Sequence, residues 1–370
     1  MNKKLVISIN TSWNIINFRM GLLKALQTEG YEIIVVAPKD KYSALFKTHD
    51  FEYHDISINN KGSNPIEDIK LIVDYYKLFK EIKPDVILNY TIKPNIYGTI
   101  AASLLNLKTI NNIAGLGTLF VAENIITKIA KYLYKYSQLK ASYVFFQNSD
   151  DFKLFTDEKL VDINKCGILP GSGVDTNLFK PIEVIRDDDK VVFLLIARML
   201  WNKGIKEYIE AARVIKQKYP YTEFQLLGFL DVANKSAISK DQMDKWIDEG
   251  VINYLGTSDN VKVEISNADC IVLPSFYREG TPRTLLESAS MAKPIITTDN
   301  VGCRDVVDNG KNGFIVKVKD VDSLVQNLEI FINLTKEEKL ILGQNGRNKI
   351  IQEYDEKIVI SKYIKIINRL

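Results

Sequence analysis

The sequence predicts an α/β protein made of two doubly wound domains, each a parallel sheet with helices on both faces. Short apolar runs alternate with amphipathic stretches along the whole chain, the pattern of a buried parallel sheet and its crossover helices. The alternation is interrupted by a Gly- and Pro-rich stretch, Leu169 to Asp175 (LPGSGVD), and then restarts. At 370 residues the chain is also longer than one core comfortably holds. The expected organisation is a first domain over residues 1–172, a second over 173–352, and a terminal helix over 353–370 packing back on the first, with the two parallel sheets facing a central cleft.

In the first domain the strand-like runs are Leu5 to Ile9, Ile33 to Ala37, Phe51 to Ile56, Val86 to Leu88, Thr109 to Ile113 and Tyr143 to Phe146. Between them fall helical stretches from Phe18 to Glu29, Tyr42 to Thr48, Pro65 to Ile82, Asn95 to Leu105, Asn124 to Leu139 and onward from Asp150. The segment Thr11 to Asn17 reads as the loop after the first strand. In the second domain, strands at Val191 to Ala197, Phe224 to Leu227, Ile252 to Leu255, Ile271 to Leu273, Ile295 to Thr297 and Phe314 to Val316 alternate with helices at Ile205 to Lys218, Asp241 to Asp248 and Val261 to Asn267. Further helices follow Thr281 and begin at Val321, Lys336 and Glu356. No short period recurs, so a solenoid is excluded.

With 46% hydrophobic and 26% charged residues, the composition is that of a soluble globular protein. Three cysteines, Cys166, Cys270 and Cys303, are odd in number and far apart, which frames neither a disulfide scaffold nor a metal knot and suits a cytoplasmic setting. The opening MNKKLVISINTSW has too short an apolar run for a signal peptide and reads as a first strand. No run approaches the roughly 18 apolar residues of a membrane span. Residues 1–172 carry a net charge of +4 and residues 173–370 a net of −1, so the first half is the one to face an anionic partner, and no nucleic acid is expected.

The chemistry concentrates in two places. From Asn267 to Pro294 (NADCIVLPSFYREGTPRTLLESASMAKP) a buried strand gives way to a loop and then a helix, with Thr281 as the expected N-cap and Pro282 as the first helical residue. The amides of Arg283 and Thr284 at such a helix start favour an anion such as a diphosphate. Glu279 stands in the loop at its mouth and Glu287 about a turn and a half into the helix. An i, i+4 ion pair of Glu287 with Arg283 is an equally good reading of those two residues. The second place is the end of the first strand of the second domain, where Arg198 and Lys203 bracket a turn closed by Gly204. Cations there either point into the crevice where α/β sheets take ligands, Arg as a fork for phosphate oxygens and Lys as a point charge, or are surface residues that merely bracket a turn in which Gly204 serves the backbone.

Arg198-x4-Lys203-Gly204 followed by Glu279-x7-Glu287 resembles the retaining glycosyltransferases of family 4, which have the GT-B fold of two Rossmann-like domains. LPGSGVDTNLFKP is similar to that family's entry into the second domain. Thr91 to Phe120 resembles bacterial members that build lipid-linked surface polysaccharides, including those adding N-acetylgalactosamine or another N-acetylhexosamine or hexose to undecaprenyl-diphosphate sugars. The resemblance implies that Arg198 and Lys203 bind the diphosphate of a UDP-sugar donor and stabilise the leaving group. Glu287 would hold the ribose hydroxyls and Glu279 would orient the donor sugar, with the backbone around Gly280, Thr281 and Arg283 contacting sugar and phosphate. Phe18, Arg19, Lys93 and Asn112 fall on the acceptor side. The implied reaction is a retaining transfer to a lipid-linked saccharide with no cofactor and no metal, driven by cations prepositioned for the charge that grows on the diphosphate.

The sequence departs from the family in three places. TSWNIIN after the first strand lacks the glycines common there. The only histidines, His49 and His54, lie too early to match the His of many members, leaving Asn112 to supply some of its hydrogen bonding. Thr-Pro-Arg follows Gly280 where a bulkier apolar residue is common. Between residues 125 and 140, Ile125, Ile129, Tyr132, Tyr136 and Leu139 share a helical face beside Lys128, Lys131 and Lys135. Such a helix either faces the core or lies peripherally on anionic membrane at the cytoplasmic face. A sugar-nucleotide epimerase of the same fold and a non-catalytic nucleotide-sugar-binding module are the alternative functions.

Overall fold

The computed structural model describes residues 3–59, 64–116, 125–184, 186, 189–230, 232 and 234–370, without the side chains of 125–127. Asp187 and Asp188, in the acidic run Asp187-Asp188-Asp189 that the sequence marks as a solvated loop, therefore lie outside the described residues. The chain divides into two compact units, Met1–Gly173 with Glu356–Leu370, and Val174–Asp355. Among the described residues the first unit holds strands β1 (Lys3–Ser8), β2 (Tyr31–Ala37), β3 (Glu52–Asp55), β4 (Val86–Tyr90), β5 (Lys108–Ile113), β6 (Tyr143–Phe146) and β7 (Cys166–Ile168) in the order β3-β2-β1-β4-β5-β6-β7. The second holds β8 (Val191–Ile196), β9 (Thr222–Leu227), β10 (Asn253–Tyr254), β11 (Cys270–Leu273), β12 (Ile295–Thr298) and β13 (Gly313–Val316) in the order β10-β9-β8-β11-β12-β13. All pairings between these strands are parallel. In each sheet the first strand lies inside, so the strand order reverses beside it and loops at its carboxyl end open a crevice.

The helices of the first unit are α1 (Ser12–Phe18), α2 (Met20–Thr28), α3 (Pro65–Ile82), α4 (Thr99–Leu104), α5 (Ile125–Lys140) and α6 (Ser149–Asp157). Those of the second are α7 (Ile205–Lys218), α8 (Lys240–Asp248), α9 (Val261–Asn267), α10 (Arg283–Ser290), α11 (Val321–Asn333) and α12 (Lys336–Lys349), and α13 (Glu356–Ile367) returns to the first unit. Each sheet buries apolar residues on both faces. Leu5, Ile7, Val35 and Leu88 pack with Val359, Tyr363 and Ile366 of α13, while Val6, Ile34 and Ile87 pack with Tyr75 and Phe79 of α3.

Several local expectations need correction. Thr11 to Asn17 is not a loop. Ser12 begins α1, and the chain breaks helix only at Arg19 (φ −128°, ψ −5°), whose amide closes α1 on Ile15 and whose carbonyl opens α2. The stretch from Asn95 opens with a π-helical turn over Pro94–Gly98 before α4, and Tyr42 to Thr48 is a 3₁₀ helix over Ser43–His49. The short edge strand β7 was not foreseen, because CGI contains too few apolar residues to register as a run.

Beneath the first sheet lies a belt of buried amides that no charge pattern announces. Asn89 donates to Thr99 and to Asn111, Asn111 donates to Gln138 of α5 and to the Asn95 carbonyl, and Asn95 donates to the Asn112 carbonyl. Gly98 in the π turn lets Asn89 approach, since a Cβ there would stand 3.0 Å from Asn89 Oδ1.

Candidate active site

The site in the second unit is assembled from three loops at the carboxyl ends of β8, β11 and β12. After β8, Met199 and Leu200 are fully buried anchors, leaving exposed Arg198 before a 3₁₀ turn over Trp201–Lys203. Gly204 ends that turn at φ +78°, and a Cβ there would sit 2.1 Å from the Pro274 carbonyl oxygen, so only glycine lets the turn press against the end of β11. The Asn202 carbonyl accepts from the amides of Phe276 (3.1 Å) and Tyr277 (3.0 Å). The two loops are thus sewn together at one oxygen.

This stitching brings Lys203 onto Glu279. Lys203 Nζ donates to Glu279 Oε1, Ser275 Oγ donates to the same oxygen at 3.1 Å, and Nζ lies 4.9 Å from the centre of the Tyr277 ring. Both charged side chains are about nine-tenths buried, at 11% and 12% exposure. Burial pushes the Tyr277 hydroxyl up, Glu279 adds to this, and Arg198 opposes it, which places Arg198 in the electrostatic reach of the same cluster.

α10 begins one residue later than expected. Pro282 is the N-cap (φ −61°, ψ 117°), its carbonyl accepting from Leu285 and Leu286, and Thr281 precedes it as a buried loop residue. The extended ψ of Pro282 is the reason Thr281 does not cap. One turn on, Arg283 Nε donates to Glu287 Oε1 at 2.8 Å, with Glu287 buried and Arg283 largely so. Burial pushes the Glu287 carboxyl up, with Arg283 pulling it back down. The ion-pair reading of these two residues is thus realised in the structure.

Support from β12 went unread in the sequence. Asn300 Nδ2 donates to the carbonyls of Ser275 (3.2 Å) and Tyr277 (2.7 Å), and Thr298 Oγ1 donates to the Ser275 carbonyl. Gly302, at φ +78°, lies so close to Gly280 that a Cβ would fall 1.6 Å from its carbonyl oxygen. The Asn-x-Gly spacing after β12 was the available signal. Behind it the fully buried Cys303 thiol is pushed up to about 12, by burial first and Glu279 second.

The four residues assigned to the acceptor side lie in the first unit and do not all meet. Phe18 ends α1 with its ring edge-on to Trp13, Arg19 lies over the Tyr90 ring at 4.6 Å, and Asn112 donates to the Tyr363 hydroxyl at 3.0 Å while accepting from Gln147. Phe18, Arg19 and Asn112 line one small cavity. Lys93 is elsewhere, paired with Asp68 at 2.7 Å, whose other oxygen accepts from Tyr97. Among the described residues no three His, Cys, Asp or Glu side chains are grouped to hold a metal ion, and no helix is long and apolar enough to cross a membrane.

Comparison with known proteins identifies the class of enzyme. The profile described as "Glycosyl transferases group 1" matches residues 178–349, the whole of the stitched site, and "Glycosyl transferase 4-like" matches residues 5–148. The two profiles between them span both halves of the chain, and the chain is a glycosyltransferase. It is 28% identical to the N,N'-diacetylbacillosaminyl-diphospho-undecaprenol α-1,3-N-acetylgalactosaminyltransferase of Campylobacter jejuni, over 96% of each chain. It is 27% identical to the UDP-Gal:α-D-GlcNAc-diphosphoundecaprenol α-1,3-galactosyltransferase of Escherichia coli, over 78% of this chain and 76% of that one. The crystal structure of a glycosyltransferase from Rickettsia africae superposes with a TM-score of 0.81 at 18% identity, covering 100% of this chain and 98% of that one. Anabaena Alr3699/HepE, solved with UDP-glucose, gives 0.80 at 16% identity, covering 99% and 100%. These neighbours establish the GT-B fold.

In this glycosyltransferase the arrangement has a defined chemical capacity. Lys203 carries three N–H donors, and Glu279 uses one, so the ammonium can be aimed by the carboxylate and still donate to an incoming anion. Arg198, exposed beside the cluster, supplies a second cation whose guanidinium fork suits phosphate oxygens.

Proposed function

We propose that this glycosyltransferase moves a sugar, with N-acetylgalactosamine the best candidate, from a UDP-sugar to an undecaprenyl-diphosphate-linked saccharide, with retention of configuration and without a metal ion. The observation that carries the reading is the Lys203–Glu279 pair beside Tyr277, with Arg198 in electrostatic reach. Arg198 and Lys203 bind the donor diphosphate and stabilise the charge that develops as the sugar departs. Glu279 aims Lys203 and contacts the sugar, and the backbone at Gly280, Thr281 and Arg283 contacts sugar and phosphate. Glu287 meets the ribose hydroxyls, held in place by Arg283. The names of the relatives from C. jejuni and E. coli, both acting on diphospho-undecaprenol sugars, support the acceptor class.

The enzyme would meet such an acceptor at a membrane surface, and α5 is suited to that contact. Ile129, Tyr132, Tyr136 and Leu139 are 55%, 70%, 44% and 46% exposed, so these four residues of the apolar face drawn from the sequence point outward, while Tyr134, Ser137 and Gln138 pack inward; the Ile125 side chain lies outside those described. Lys128 and Lys135 are exposed alongside it, and Lys131 is paired with Glu158. An outward apolar-aromatic stripe flanked by lysines is the composition of a helix lying in an anionic lipid interface.

The test is transfer from UDP-N-acetylgalactosamine to an undecaprenyl-diphosphate saccharide in the presence of EDTA, with the anomer read by NMR. An α-linked product formed at an unchanged rate supports the reading. An inverted product, or loss of activity that Mg²⁺ or Mn²⁺ restores, contradicts it.

A further inference from the structure

Arg19 is a buried cation with unused hydrogen-bonding capacity. It is only 7% exposed, one of its terminal nitrogens donates to the Phe18 carbonyl at 3.2 Å, and its Nε is buried with no partner. Its face rests on Tyr90, whose hydroxyl is likewise buried and makes no hydrogen bond of ordinary length, the Tyr363 hydroxyl being its polar neighbour. No carboxylate lies within ion-pair distance of Arg19 among the described residues. Leaving a buried guanidinium and a phenol unsatisfied is costly in a native fold unless a ligand completes them.

Both groups line a cavity of about 10 Å³, shared with Phe18, Ser172, Asn112 and Tyr363. That is the room of one water molecule or one oxygen atom. The floor is fixed by the hydrogen bond from Asn112 to the Tyr363 hydroxyl, and the rim residues Phe18 and Ser172 are only half-buried. Glu356 also borders the cavity, and its carboxylate is packed on Gly21 in the first turn of α2, where a Cβ would stand 2.5–2.7 Å from its atoms. A space of about 10 Å³ takes a single oxygen and excludes a whole phosphate. Tyr90 ends β4 and Arg19 follows the helix after β1, so the cavity lies at the carboxyl edge of the sheet, the end at which α/β folds take ligands.

We propose that Arg19 and the Tyr90 hydroxyl form an oxyanion pocket that receives one phosphoryl oxygen of the acceptor's lipid diphosphate, a role resting on the lipid-linked acceptor reading above. A guanidinium edge with a phenol beside it suits a charged phosphoryl oxygen better than a neutral sugar hydroxyl. Lys93, paired with Asp68, and Asn112, tied on both sides, are positioned for structure and not for this oxygen.

The experiment is calorimetric titration of the full chain, first with UDP and then, with UDP saturating, with inorganic pyrophosphate, farnesyl diphosphate and a phosphate-free saccharide. The variants are Arg19→Gln, Arg19→Lys and Tyr90→Phe, the last removing a single oxygen so that folding is preserved. Farnesyl diphosphate should bind the wild-type protein more tightly than pyrophosphate, at least tenfold more weakly in Arg19→Gln, and about threefold more weakly in Tyr90→Phe, with partial recovery in Arg19→Lys. The phosphate-free saccharide should bind wild type and Arg19→Gln alike. Equal farnesyl diphosphate affinity in wild type, Arg19→Gln and Tyr90→Phe overturns the proposal. Equal affinity for pyrophosphate and farnesyl diphosphate, both lost in Arg19→Gln, overturns the lipid assignment in favour of a free-pyrophosphate site. UDP binding is read separately, so a failure of the donor reading is distinguished from a failure of this one.

Discussion

The two units share one architecture and place their polar residues differently. In the second unit the polar groups that matter stand in loops: Lys203, Glu279, Ser275 and Asn300 all lie beyond the carboxyl ends of strands and are stitched to one another. In the first unit they lie within and beneath the sheet, where Asn89, Asn111 and Asn112 are strand residues less than 2% exposed. The same sheet can therefore carry its polar chemistry on the rim, where loop charges meet a ligand, or inside, where neutral amides fix helices to strands. The first arrangement suits a group that leaves with growing charge. The second builds a stiff support for a surface.

The comparison is broken most directly at the rim. Glu279→Ala should lower transfer by about 100-fold or more in kcat, the scale of removing a group that shapes an electrostatic site; kinetics with saturating donor check this. Inside the first unit, Asn111→Ala should cost stability instead. It strips partners from Asn89 and Gln138, and each buried polar group left unsatisfied costs about 1–3 kcal/mol, readable by urea unfolding.

Smaller effects sharpen the contrast. Gly302→Ala forces a side chain into the Gly280 carbonyl at a positive φ and should destabilise by about 1 kcal/mol or more, with weaker UDP binding. Ile129→Glu with Tyr132→Glu should abolish sedimentation with phosphatidylglycerol vesicles and leave hydrolysis of a soluble donor intact, since each exposed residue faces away from the buried side of α5. The Glu287 carboxyl should produce a pH effect of known sign. Its pKa is raised in the folded state above the ordinary 4.5, by burial first. The native state thus binds a proton that the unfolded state has released, and stability falls as pH rises from about 4.5 through the raised value. Glu287→Gln should flatten that fall in a pH series of denaturation curves.

The alternation that predicts the fold was legible because buried parallel strands must be apolar on both faces, so Ile271 to Leu273 or Val191 to Ile196 leave little else to read. The rim was legible in part, because Lys203 and Glu279 are charged residues at loop positions. Asn300 and Gly302, which hold the Glu279 loop from behind, carry no charge and follow β12, far along the chain from the motif they support. The amide belt was hidden for a stronger reason. Asn89 and Asn111 occupy strand positions where polar residues are depleted, and only the π turn at Pro94–Gly98 brings their partners within reach. The face of α5 illustrates a third case. Periodicity located its apolar stripe, but periodicity is the same whether the stripe meets a core or a lipid, and only the exposure of Tyr132 separates the two.

The central claim is that Lys203, aimed by Glu279, binds the donor diphosphate. Calorimetric titration of UDP into wild type, Lys203→Ala and Glu279→Gln tests it most directly. The account predicts that Lys203→Ala loses at least about tenfold in affinity, the scale of a charge-assisted hydrogen bond, while Glu279→Gln retains UDP binding within about threefold because the amide oxygen still holds the ammonium. UDP binding unchanged in Lys203→Ala would contradict it.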